Sequence, residues 1–102
     1  MAARYLDWLT ELFAEAQVPV TAENADWIDA SLRRIAGVAA GASEDEVYRV
    51  LRARWLNQGV PGRQLLASFL RDEVFSRRDS PMRPKEGAAY FTNEWARSHV
   101  KA

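Results

Sequence analysis

The chain has no cysteine and a single histidine in 102 residues. The first absence excludes disulfides and thiolate chemistry. The second leaves only His99, close to the C-terminal end of the sequence. It removes the His-x-x-x-His and Glu-x-x-His spacings that zinc hydrolases and di-iron bundles need. No metal and no cofactor are therefore expected. Gly-x-Ser-x-Gly, the phosphate-binding lysine loop and Gly-x-Gly-x-x-Gly are all missing. The carboxylate pairs present, such as Glu11 with Glu15, fall on wet helix faces, so the expectation is a protein without catalysis.

Other absences bear on class and place. No window approaches the roughly 18–20 apolar residues of a membrane span, and the N-terminal residues lead into an amphipathic stretch with no signal-peptide core. A cytoplasmic protein without membrane contact is expected. Lysine is scarce: twelve of the fourteen basic residues are arginine, while alanine occurs seventeen times. That bias reads as the codon usage of a GC-rich, bacterial genome. Proline and glycine number four and five, which leaves long uninterrupted segments between them.

Those segments carry helical periodicity. Tyr5, Leu6, Leu9, Leu12, Phe13 and Ala16 share one face of a first helix over 3–16, ended by Pro19. Thr21 caps a second, over 22–36, whose stripe is Ile28, Leu32 and Ile35 and whose stop is Gly37. Ser43 and Glu46 form a capping box that opens a third, expected to run to Gln58. A fourth follows Gly59-Val60-Pro61-Gly62 and reaches Arg78, with Leu65, Leu66, Phe69, Leu70 and Val74 toward the core. The expected fold is all-α: a small four-helix bundle in one domain, residues 1–78. Residues 79–102 are a Pro-containing C-terminal arm that packs on the bundle or extends from it and holds a short fifth helix over 88–99.

Charge is divided along the chain. Residues 1–46 hold three basic and nine acidic residues; residues 47–102 hold eleven basic and five acidic. Opposite fields of this kind steer partners, nucleic acid or a second copy of the chain. Three ionic residues fall on apolar faces: Arg54 among Val47, Val50 and Leu51, and Glu73 with Arg77 beside Leu66 and Phe69. They mark either a polar site between the third and fourth helices or charges paired at the rim of the core. A direct Arg54–Glu73 bridge is opposed by an axial mismatch of roughly 10 Å in an antiparallel hairpin.

Two functions from different classes fit these features. The first is a small regulatory or protein-interaction module that binds a protein partner or itself. Tyr90, Phe91 and Trp95 are its candidate interface aromatics, because such rings dominate interface hot spots; docking back onto the chain's own bundle is their other role. The alternative is a nucleic-acid-binding helix–turn–helix-like domain built on 43–78. There Arg63, Gln64, Ser68 and Arg71 would face bases from the fourth helix, with Arg78 on the same polar face. Arg49 and Arg52 would reach phosphate from the third. Arg77-Arg78-Asp79-Ser80-Pro81 also resembles a phosphorylation site, a short match that chance supplies often.

Overall fold

The computed structural model describes residues 3–82, and these are all-helical. Tyr90, Phe91, Trp95, His99 and the expected fifth helix lie outside the described residues. A 3₁₀ segment, Arg4–Trp8, leads into α1, Thr10–Ala16. Then come α2, Ala25–Ala36, and α3, Glu44–Arg54; a 3₁₀ turn, Leu56–Gln58, connects to α4, Val60–Ser76. Helix α1 packs mainly on α4, α2 bridges α3 and α4, and the first 3₁₀ segment lies against α3. The core comprises Tyr5, Leu12, Ile28, Leu32, Val47, Leu51, Leu66, Leu70 and Val74, all essentially without solvent contact. None of the helices among the described residues is long and apolar enough to cross a membrane.

The capping chemistry is where the sequence puts it. Ser43 Oγ accepts from the Glu46 amide at 3.1 Å, and Gly37 ends α2 in the left-handed conformation at φ 77°. Thr21 and Asn24 cap each other: the Thr21 amide donates to Asn24 Oδ1 at 2.8 Å, and the Asn24 amide to Thr21 Oγ1 at 3.3 Å. Regular α-helix begins only at Ala25, so the expected start at residue 22 is a turn held by that exchange.

The first expected helix is broken at Leu9, where φ is −114° and ψ 28°. Tighter 3₁₀ winding before the break lets the buried Tyr5 hydroxyl donate to Asp29 on α2. Asp29 also accepts from Arg33 Nε at 3.0 Å, and Arg33 Nη1 donates to the carbonyls of Ala40 and Ala42. One network thus ties the N-terminal segment, α2 and the following loop. Burial, and then the Asp29 carboxylate beside it, push the Tyr5 phenol well above its ordinary ionisation range. Folded protein keeps this proton while unfolded chain releases it above about pH 10. The contribution is therefore complete below pH 10 and is lost as pH rises from there toward the folded value. Wild-type stability should fall by about 1.4 kcal/mol for each further pH unit, from this one group. Tyr5→Phe should lack that slope; urea titrations between pH 8 and 11 check it, and equal slopes in both chains would refute the assignment.

Helix α3 stops at Arg54 rather than Gln58, and α4 starts at Val60 rather than beyond Gly62. Pro61 is accommodated in the first turn, where its missing N–H costs nothing. The reason for both shifts is close packing of α4's first turn on the chain at Trp55: a Cβ on Gly62 would stand 1.9 Å from Trp55 O. Gly59, at φ 79° and ψ −156°, makes the corner in a region open only to glycine.

Helix α4 corrects the expected core. Leu66, Leu70 and Val74 are buried together with Gly62 and Ala67, but Leu65 is 49% and Phe69 41% exposed. Five apolar positions cannot share one side of a helix whose buried centre lies at Leu70, since Leu65 is about 140° away from it. The helix also ends at Ser76, so Arg78 does not continue its polar face.

Candidate functional site

Three arginines of the basic half, Arg54, Arg63 and Arg71, turn onto the acidic half. Arg63 leaves α4 toward α1, with Nη1 3.4 Å from Glu11 Oε1 and Nη2 3.3 Å from Glu15 Oε1. Arg71 Nη1 donates to the carbonyl of Ala16, the last residue of α1, at 2.6 Å, and to Gln17 Oε1 at 3.3 Å. Arg54 Nη1 does the same for Ala36, the last residue of α2, at 3.3 Å, with its guanidinium carbon 5.1 Å from the centre of the Trp55 ring. A helix's final carbonyls lack partners within the helix and carry the negative end of its dipole, so an arginine supplied from a neighbouring helix satisfies both. The split in charge along the sequence is thus partly spent in joining the two halves of the fold.

The charges expected on dry faces are not together. Arg54 is exposed and serves α2, whereas Glu73 pairs across to Arg34, whose Nε and Nη2 lie 3.1 and 3.0 Å from the same carboxylate oxygen. Arg77 Nε is 3.9 Å from Glu73 and 3.1 Å from Asp79. The Arg54, Glu73 and Arg77 side chains therefore form no common polar site between α3 and α4. Arg54 and Glu73 are each met by α2, which lies beside both helices, while Arg77 pairs with Glu73 on α4 and with Asp79 beyond it.

The base-reading set is likewise divided. Arg63 and Arg71 are engaged with α1. Ser68 Oγ donates back to the Leu65 carbonyl at 2.7 Å, and Gln64 faces solvent. Among the described residues Arg49, Arg52 and Arg78 take part in no ion pair. Ser80 is buried, and its hydroxyl accepts from the Met82 amide at 3.2 Å, which removes it from the surface where a modifying enzyme would need it.

One surface assembles aromatic and cationic groups that no internal contact consumes. Trp8 is 57% exposed, the most open large apolar side chain among the described residues. Its ring centre lies 5.0 Å from that of Tyr48 at an interplanar angle of 57°, a tilted pair within the favourable range. The Arg52 guanidinium carbon is 5.5 Å from the Tyr48 ring centre, a cation–π contact one helical turn along α3. Two clefts of about 370 Å³ each share Tyr48 and Arg52 as a common wall. Trp8, Leu56 and Val60 line one; Asp45, Arg49 and Asn57 line the other. Val60 at the first mouth is itself half exposed.

Arg49 and Arg52 were legible as candidates, but Tyr48 was not. The Tyr48–Arg52 spacing of four was the only local signal, and Trp8 stands forty residues away in sequence. Acidic Glu11 and Asp45 border the same clefts, so the field there is mixed. Among the described residues no group of three or more His, Asp or Glu side chains is placed to hold a metal ion. The chain matches no protein-family model, no curated protein and no solved structure.

Proposed function

We propose that the chain is a small non-catalytic protein-interaction module that meets its partner through the Trp8–Tyr48–Arg52 surface. The observation that carries the reading is the exposed Trp8 ring, packed at a tilt against Tyr48, which Arg52 in turn contacts. Trp, Tyr and Arg supply most hot spots at protein interfaces, and side chains packed on one another in this way are held in place before binding, which lowers the entropy cost of association. The partner presents an apolar side chain to the Trp8–Val60 cleft and a carboxylate to Arg52. The stacked guanidinium of Arg52 has no carboxylate of its own among the described residues and can accept one in fork geometry.

A nucleic-acid role has less support. Two of its base-reading arginines, Arg63 and Arg71, are engaged with α1. Glu11 and Asp45 beside the clefts repel a polyanion.

The test uses wild-type, Trp8→Ala and Arg52→Glu chains as bait in the same extract, followed by titration of the purified binder. The Trp8→Ala chain should keep its thermal midpoint within a few degrees and bind at least about tenfold more weakly. A binder held equally by all three chains would sink the proposal. So would retention of nucleic acid alone, with affinity falling steeply in salt.

A further inference from the structure

A second surface on the N-terminal segment shares no lining residue with the clefts at Trp8 and Tyr48. A groove of about 600 Å³ is walled by Leu6, Phe13, Ala14, Val18, Pro19 and Val20. Its lining is predominantly apolar, and its one charged side chain is Asp7, which takes part in no ion pair among the described residues. A groove of this size is comparable with clefts that enclose a whole small molecule and has room for more than one aromatic ring.

The last described residues lie beside it. Asn24 is buried, and its amide nitrogen donates both to the Pro19 carbonyl at 2.9 Å and to Met82 Sδ at 3.2 Å. Pro19 is part of the groove wall. Met82 is therefore held at the groove's edge by the same side chain that fixes the wall. The backbone is led there by two contacts, Ser80 N to Arg77 O at 3.2 Å and Met82 N to Ser80 Oγ at 3.2 Å.

Residues 83–102 follow, with Tyr90, Phe91 and Trp95 among them. From Met82 to Tyr90 the chain can span up to about 26–29 Å, while the groove runs on the order of 15 Å between Leu6 and Ala14. Reach is sufficient with slack. Charge is compatible: residues 83–102 hold four basic and two acidic residues in all, and the groove's one charged side chain is Asp7. We propose that this groove is the docking site of the chain's own Tyr90–Trp95 segment, its aromatic side chains filling the space between Phe13, Ala14 and Val20.

The absence of native cysteine makes the test clean. Ala14→Cys is placed in the groove wall and combined with Phe91→Cys in the full chain. The control pairs Phe91→Cys with Ala30→Cys, an exposed position on α2. Any tethered segment has a high effective concentration, so the readout is the excess over the control, expected at about tenfold in intramolecular disulfide under mild oxidation. Amide shifts of the full-length Phe91→Ala/Trp95→Ala chain provide the second measurement, with changes expected at Thr10, Ala14 and Val20 and independent of protein concentration. No excess at Ala14 together with unchanged groove amides would overturn the proposal. Disulfide formed between chains, with concentration-dependent shifts, would overturn it in favour of a second copy in the groove. Neither outcome bears on Trp8→Ala binding, so the two surfaces are tested separately.

Discussion

Gly62→Ala should destabilise the protein by about 3 kcal/mol or more, at or beyond the upper end for a single overpacked methyl group. The added Cβ would stand 1.9 Å from Trp55 O and 2.6 Å from Gln58 Cβ. The first contact is with backbone, which cannot rotate aside. Relief requires moving α4's first turn away from the Leu56–Gln58 turn, and with it the packing of Leu66 and Leu70. Gly41→Ala is the matched control: a Cβ added there meets nothing within 4 Å, so the change should be neutral or slightly stabilising through a smaller unfolded ensemble. Denaturant midpoints of the two variants against wild type decide the matter. A Gly62→Ala loss under about 1 kcal/mol would mean that the close approach is absent in solution.

Leu66→Ala should cost about 2–5 kcal/mol, while Leu65→Ala should change stability by no more than about 0.5–1 kcal/mol. The two leucines are neighbours in sequence, with the same composition and the same helix propensity. Leu66 is wholly buried and Leu65 is 49% exposed. Truncating the first leaves a cavity among packed side chains; truncating the second removes atoms already in water. A domain of this size has about 5–15 kcal/mol of total stability, so Leu66→Ala alone should displace the unfolding midpoint far down the denaturant axis. Similar losses at both positions would contradict the orientation of α4 that exposes Leu65 and Phe69.

That orientation marks where reading the sequence stopped short. Val47 and Leu51 on α3, Trp55 just past its end, and Ile28 and Leu32 on α2 are buried as their spacing requires, while Val50 and Ile35 at the stripe edges are partly buried. Each of those helices has one apolar stripe and no competing one. On α4 the apolar residues cover too wide an arc, and periodicity cannot say which part faces inward. Contact with α1, the main packing partner of α4, selects the side centred on Leu70. The same selection places Arg63 beside Glu11 and Glu15, which turned a candidate base-reading residue into an internal ion pair. Such partly exposed pairs contribute about 0–1 kcal/mol each, so their role is more in orientation than in stability.

Local chemistry was enough to determine the all-helical class, the number of helices within the described residues, the Ser43 cap and the Gly37 stop, whereas the cap expected at Thr21 gave way to Asn24. These depend on residues within one turn of each other, and backbone hydrogen bonding is satisfied there whatever the rest of the chain does. Tertiary structure alone decided the break at Leu9, the early end of α3, the partners of Arg54, Glu73 and Arg71, and the meeting of Trp8 with Tyr48. Those depend on groups tens of residues apart, brought together only when the helices pack. A charge pattern along a chain states how much of each sign is available; which charges cancel and which remain to meet a partner is settled by where the helix ends come to lie.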